Sequence, residues 1–314
     1  MQTPNTCKMT ISEPEMPVSL RVGTFNLANS LLDEKSETTN FFLREPLILD
    51  TIDKMKCDIL AVTELRPYQN RVSKELCSIS SFLGKIAGYD HIYEYMNATP
   101  LSFAMGILYC RSKVYPVKTV KYWLSETPET PSDTWGNGFG RILLGAKFYP
   151  VVNSNINLGA KPLWVYTAHL GLGEKEKNES VKIIPKLIQN DVGNDDFVFM
   201  GDMNFFEDGD RQGSNQRQIL VESGMIDVGK DACFSFNSNL KSFGTFIGFE
   251  EDAFKSTYET LTGKDHKFSS RLDHIFSSNT LKTSDVTLWV EDEQQLIDRK
   301  TPSDHLPLLC TAIL

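Results

Sequence analysis

Six short segments of this chain place carboxylates, side-chain amides or imidazoles where apolar runs end. They are Thr24-Phe25-Asn26, Thr63-Glu64, Thr167-Ala168-His169, Gly201-Asp202-Met203-Asn204, Arg271-Leu272-Asp273-His274-Ile275-Phe276 and Ser303-Asp304-His305. Singly, each has an ordinary reading: Asn26 as a turn residue, Glu64 as a solvated strand end, Gly201-Asp202 as a turn dipeptide. Jointly that reading weakens. The chain has five histidines, and His169, His274 and His305 all fall inside these segments. Carboxylate and amide oxygens are the donors that a hard, octahedral Mg²⁺ accepts, and they suit zinc poorly. Histidines beside aspartates suit proton transfer or the stabilisation of phosphoryl oxygens.

Such groups need a rigid scaffold beneath them, because reactive side chains in α/β proteins sit on loops at strand ends. Strand-like runs span Leu20–Leu27, Asp58–Glu64, Phe103–Cys110, Val114–Leu124, Arg141–Phe148, Leu163–Leu170, Phe197–Met200, Leu272–Phe276, Val286–Val290 and Leu306–Ile313. Apolar residues recur at helical spacing from Pro46, expected to open the helix, through Cys57. Further helices are expected near Arg71–Ala87, Glu174–Asn190 and Gln212–Ser223. Strands with interspersed helices predict a mixed-sheet α/β protein. Residues 1–18 read as a flexible leader and 19–314 as a single domain, with a polar loop at Ala28–Asn40 and a long structured loop at Lys230–Ser270.

Forty percent of the residues are hydrophobic and 23% charged, which supports a real core and excludes disorder. The net charge of −9 argues against a protein that grips long duplex DNA, since Lys and Arg must replace the counterions. It favours a small or short anionic substrate, with a metal ion supplying the missing positive charge. Six scattered cysteines without C-x-x-C spacing read as buried thiols rather than a disulfide framework. No secretory signal and no run of roughly 18 apolar residues is visible, so a cytoplasmic protein without a membrane span is expected.

The order and spelling of the segments resemble the endonuclease/exonuclease/phosphatase superfamily, the deoxyribonuclease-I-like hydrolases. T-x-N-L, a strand ending in Glu, T-x-H-L, G-D-x-N, R-[IL]-D-[YH]-I-F and S-D-H-x-P run in the family's order from about Arg21 to Leu314. Trp123 to Pro128, with Arg141 shortly after, further resembles a branch described as metal-dependent hydrolases. The resemblance implies an α/β four-layer sandwich, two mixed β-sheets face to face with outer helices. It implies metal-assisted hydrolysis of phosphodiesters or phosphomonoesters in nucleic acids, lipid head groups or small phosphates.

Carried over residue by residue, it makes Glu64 the main Mg²⁺ ligand, with Asn26 and Asp304 completing or orienting the shell and Mn²⁺ as a substitute ion. Asp202 would orient or deprotonate the attacking water, and Asn204 would hydrogen-bond it or a phosphate oxygen. His305, paired with Asp273, would stabilise the charged phosphate or act as acid/base. His169 and Arg141 would bind non-bridging oxygens. The sequence departs from the pattern in places. Glu174–Val181 lacks a helix arginine, and His274 replaces a frequent tyrosine, as a rim residue or a structural one. Gly244-Thr245-Phe246 is a further candidate contact, and Trp123 a core residue rather than a stacking platform.

Three readings stay open at this stage: a phosphoesterase acting on a small or lipid-derived phosphate, a nuclease or deadenylase-like exonuclease on single strands, and a non-catalytic binding module that kept the fold. An inositol-polyphosphate phosphatase is disfavoured, because Arg271-Leu272-Asp273 stands where a C-D-R signature is expected. The sequence leaves oligomeric state and endo or exo action open.

Overall fold

The computed structural model describes residues 17–29, 39–70, 72–97, 102–136, 140–205, 215–241, 244–249, 271–292, 294–295 and 301–314. In chain order these form β1 (Ser19–Asn26), α1 (Phe41–Met55), β2 (Ile59–Leu65), β3 (Tyr68–Gln69), β4 (Leu76–Cys77), α2 (Ile79–Leu83), β5 (Asp90–Tyr95) and β6 (Ala104–Tyr109). There follow β7 (Val114–Trp123), β8 (Ile142–Val152), β9 (Asn155–Ile156), β10 (Leu163–His169), α3 (Glu174–Val192), β11 (Asp196–Asp202) and α4 (Gln216–Glu222). The last strands are β12 (Ile226–Asp227), β13 (Cys233–Phe234), β14 (Asn237–Lys241), β15 (Asp273–Ser277), β16 (Lys282–Leu288) and β17 (Leu308–Ile313).

Two mixed sheets result. One runs β14-β13-β16-β17-β1-β2-β6-β5, and the other β12-β15-β11-β10-β8-β7 with β9 on β8. The central pairs β1/β2 and β10/β11 are parallel, whereas their outer neighbours are antiparallel. Alternation along each strand builds three apolar layers. Val22, Ile59, Ile107, Leu144, Val165, Val198 and Ile275 pack between the sheets. Phe25, Leu60 and Val62 turn outward against Ile48 and Ile52 of α1. Trp164, Tyr166, Phe199 and Phe276 turn outward against Val181 and Ile184 of α3 and Leu220 of α4. Helix, sheet, sheet and helix give the four-layer sandwich, and each fully buried Leu, Ile or Phe side chain in it contributes roughly 1.5–3 kcal/mol.

Some elements differ from expectation. The first helix starts at Phe41, because the Asn40 side chain caps it by accepting the Leu43 N–H, and Pro46 lies inside it. The helix expected near Arg71–Ala87 is reduced to α2, capped by Ser78. The stretch before it is a β3/β4 hairpin whose turn Asn70 holds by accepting the Val72 and Ser73 N–H groups. Strand β5, half-buried along its whole length at a sheet edge, lacks the apolar run that marks the central strands. The expected Lys230–Ser270 loop contains β13 and β14, while 250–270, most of the leader and 30–38 lie outside the described residues. No helix among the described residues is long and apolar enough to cross a membrane. The described cysteines, Cys57, Cys77, Cys110, Cys233 and Cys310, are free thiols.

Candidate active site

Strand alternation decides which polar residues meet. Asn26 follows Val22 on the inward face of β1, His169 follows Val165, Asp202 follows Val198 and Met200, and Asp273 precedes Ile275. Apolar residues fill the middle of these inward rows, and Asn26, His169, Asp202 and Asp273 stand at the same end of them, so their side chains project into the gap between the sheets. Glu64 breaks the count. Two residues beyond Val62 it would face α1, but a bulge between Val62 and Leu65, with φ of 56° at Glu64, turns it into the cleft. Such a backbone costs of order 1–3 kcal/mol and persists where surroundings enforce it. Gly201 has φ of 146°, and a Cβ there would lie 2.0 Å from the Ala168 carbonyl oxygen. Only glycine therefore lets β10 and β11 bring His169 level with Asp202.

Asn26 ties the two sheets together. Its Nδ2 donates to Asp202 Oδ2 at 2.9 Å and to Glu64 Oε1 at 3.3 Å, while its Oδ1 accepts the Ala28 N–H at 2.9 Å. Asp202 Oδ1 accepts the backbone N–H of Asn204 at 2.9 Å, and Asn204 Nδ2 donates to the Leu170 carbonyl at 2.8 Å. His305 Nδ1 lies 2.6 Å from Asp273 Oδ2, and its Nε2 lies 3.8 Å from Asp202 Oδ2. His169 Nε2 approaches the same oxygen to 3.6 Å, too long for a hydrogen bond. Arg141 Nη1 donates to the His169 carbonyl at 3.2 Å, and its Nε stands 3.9 Å from Glu176 of α3.

Burial and neighbouring charge set the protonation states. Burial, followed by the Asp304 charge, pushes the Glu64 carboxyl up to about 7. Burial pushes Asp202 up to about 6, with His305 opposing and Asp273 reinforcing the shift. For His305 burial disfavours the cation, but the Asp273 charge and hydrogen bond, with Asp202 and Asp304, hold it well above the usual imidazole value. His169 is held well below that value by burial and by the Arg141 and His305 charges, so it is a neutral imidazole beside a charged one.

The cleft so formed has a volume of about 340 Å³, and Glu64, Arg141, His169, Asp202, Asn204, Asp304 and His305 all line it. Asn26 lies just behind, bonded to Glu64 and Asp202, and Asp273 lies behind His305. Glu64, His169 and Asp202 keep one ligand atom each within 4.8 Å of one another, as do Asp202, Asp273 and His305. Buried carboxylates gathered here, pushed upward first by burial and further by the Asp304 charge at Glu64 and the Asp273 charge at Asp202, fit a site that takes a hard divalent cation. A second cleft, about 400 Å³ at the far end beside Asp195 and Ser278, has no histidine in its lining.

Two candidates lie apart from this centre. His274, next to Asp273 on β15, faces outward, packed on Phe205 and Phe276 with Nε2 3.1 Å from the Arg271 carbonyl. Trp123 is buried in the inter-sheet core. Of the candidate contact Gly244-Thr245-Phe246, Phe246 lines the cleft, whereas Lys177 and Arg44 carried no sequence signal. Thr245 Oγ1 accepts the N–H groups of Leu272 and Asp273, and Phe246 forms a bridge with His305 and sets its ring against the imidazole. Lys177 of α3, on the helix that lacks an arginine, donates to the Asn204 carbonyl at 3.0 Å. Arg44 donates to the carbonyls of Leu27, Ala28 and Pro302, clamping the Asn26 loop to the segment carrying Asp304.

Residues 23–305 match the sequence profile of the Endonuclease/Exonuclease/phosphatase family. A protein of Acanthamoeba polyphaga mimivirus is 26% identical over 273 residues, covering 85% of this chain and 90% of its own. An endonuclease/exonuclease/phosphatase family protein from Bacteroides thetaiotaomicron superposes with a TM-score of 0.72 at 21% identity, covering 95% of this chain and 99% of that one. The mannosyl-6-phosphatase of Bacteroides thetaiotaomicron VPI-5482 gives 0.69 at 20% identity, covering 94% and 99%.

Proposed function

The chain belongs to the endonuclease/exonuclease/phosphatase family, and on that premise we propose that it is a Mg²⁺-dependent phosphoesterase that hydrolyses a phosphodiester or phosphomonoester by attack of water. The observation that carries this reading is the position of Asp202. Its carboxylate belongs to both clusters of candidate ligands and is shared by Asn26, the Asn204 N–H, His169 and His305.

Glu64 would hold the Mg²⁺, with Asp304 beside it and Asn26 orienting the carboxylates. When bound, the ion supplies Lewis-acid stabilisation of the charge that builds on the phosphoryl oxygens. Asp202, pushed up to about 6, is a base strong enough to take the proton of a water and is deprotonated at neutral pH. Asn204 fixes that carboxylate through its backbone N–H. His305, kept cationic by Asp273, presents Nε2 to the same space and offsets negative charge as the bond to the leaving oxygen breaks. Neutral His169 and the Arg141 guanidinium orient the remaining oxygens, with Arg141 contributing the permanent charge.

The test is hydrolysis of bis-p-nitrophenyl phosphate and p-nitrophenyl phosphate by purified protein with Mg²⁺ or EDTA. Expected is Mg²⁺-dependent turnover of at least one ester, abolished in Glu64→Ala. A folded wild-type protein inert toward both would favour a binding module that kept the fold without the reaction.

A further inference from the structure

The seven polar residues lining the cleft are all taken up by the ion, the water and the phosphate in the reading above. The rest of its described lining is apolar: Met96, Phe103, Leu172, Phe246 and Leu272. Leu172 is 78% exposed, held out at the mouth three residues beyond His169. A single exposed leucine is ordinary on a protein surface. This one belongs to the lining of the cleft, on the short link between β10 and α3. Gly171 before it lies against the Glu176 carboxylate, where a Cβ would come within 1.6 Å of an oxygen, and Gly173 after it caps α3. Phe103 is half-buried with the Arg66 guanidinium 5.6 Å from its ring centre, and Phe246 sets its ring at 68° to the His305 imidazole. Two leucines, a methionine and two aromatic rings therefore line the space next to the phosphate site.

We propose that the alcohol esterified to the phosphate is a flat, apolar group of the arylalkyl kind, held against Phe103, Phe246 and Leu172, and not a polyol such as a sugar. This rests on the phosphoesterase reading for its chemistry, although the preference itself is a matter of binding. Hydroxyl groups held against the Met96, Phe103, Leu172, Phe246 and Leu272 side chains lose water without gaining hydrogen bonds from those side chains. A flat hydrocarbon face covers exposed leucine and phenylalanine surface at no such cost. Apolar walls of this kind discriminate by roughly 10- to 200-fold, the range seen for single apolar groups in enzyme pockets.

Binding separates this proposal from the chemistry. Affinities of 2-phenylethylphosphonate and 2,3,4-trihydroxybutylphosphonate would be measured by calorimetry with Mg²⁺ present, for wild type and for Leu172→Ser. The wild type is expected to bind the phenylethyl compound about tenfold more tightly or better, and Leu172→Ser, a surface change, to narrow that ratio several-fold. Equal affinities, or tighter binding of the polyol, would overturn the proposal even if nitrophenyl esters are cleaved. A clear phenylethyl preference without turnover of any ester would uphold it and sink the phosphoesterase reading instead.

Discussion

Asp202 in the cleft and Asp227 at the edge of the second sheet both have side chains almost sealed from solvent, 2% and 3% exposed. Their surroundings set them in opposite directions. At Asp227 burial disfavours the carboxylate, but Arg271 donates from Nη1 at 3.2 Å and Nη2 at 2.7 Å, Arg217 donates at 2.5 Å, and the carboxyl is held below its ordinary value. Asp202 has the Asn26 amide, one backbone N–H and imidazoles beyond hydrogen-bond reach, and it shifts upward. At Asp227 two guanidinium groups satisfy one carboxylate, and the cluster is structural. The cleft holds Glu64, Asp202, Asp273 and Asp304 against His305 and Arg141, a surplus of negative charge that an added cation would offset. One motif feeds both regions: Arg271 goes to Asp227, and Asp273, two residues on, goes to His305.

The sharpest way to break this contrast is to remove the carboxylate charge in each place. Asp202→Asn, or His305→Gln, should lower kcat on a nitrophenyl ester by roughly 10²–10³, with the circular dichroism spectrum and cooperative unfolding retained. Near wild-type turnover by both would remove these residues from the reaction. Asp227→Asn should do the reverse. Stripping one partner from a buried, hydrogen-bonded pair costs about 3–5 kcal/mol, read as a lower midpoint in urea, while turnover per folded molecule stays at the wild-type level. A stable Asp227→Asn protein that had lost its activity would show that the structural and reactive clusters are not separate.

The sequence made much of this division legible, and the reasons are local. Asn26, His169 and Asp202 each end the inward row of a strand, so the period of a strand places them together without knowledge of the loops. Glu64 is different, because its identity was readable but its direction depends on a bulge and a positive φ that no periodicity encodes. The true start of the first helix, at Phe41 under the Asn40 cap, is concealed by Pro46 further along, which imitates a helix start. The apolar mouth was less visible still. Met96, Phe103, Leu172 and Phe246 come from four separated segments, and only the folded chain brings them round one cleft. Arg271 with Asp227 and Arg217 is likewise a contact across 44 and 10 residues that no motif records.

A cation should bear differently on the two regions, and pH exposes the difference. Glu64 and Asp202, pushed up to about 7 and about 6, keep protons in the metal-free fold that the unfolded chain releases near its ordinary 4.5 and 3.8. At these two groups the folded state binds more protons than the unfolded one between about pH 4 and 7, so they lower stability as pH rises through that window. A divalent cation held by these carboxylates would require the deprotonated forms and so would reverse the loss. The Tm difference between Mg²⁺ and EDTA should be small at pH 5 and open fully above pH 7, reaching about 2.7 kcal/mol of stabilisation at a hundredfold excess over Kd. In Glu64→Gln the difference should vanish. A gap of equal size at pH 5 and pH 8 would mean that these carboxylates do not hold the ion.

The smallest effect is expected one residue from the centre. His274 neighbours Asp273 but points to the opposite face of β15, where burial, followed by the Arg271 charge, pushes it down to about 3. Replacing it by Phe should leave kcat unchanged, since the side chain points away from the cleft. Lost contact with the Arg271 carbonyl costs roughly 0.5–1.5 kcal/mol, partly offset by packing on Phe205 and Phe276. Its pH signature has the opposite sign to that of Glu64. Below the ordinary value of 6.5 the unfolded chain takes up a proton that the folded one refuses, so His274 lowers stability as pH falls. His274→Phe should therefore flatten the acid side of the stability profile, measured by urea unfolding at pH 5 and 7. A tenfold fall in kcat in this variant would move His274 into the cleft's chemistry and erase the distinction between the two faces of the strand.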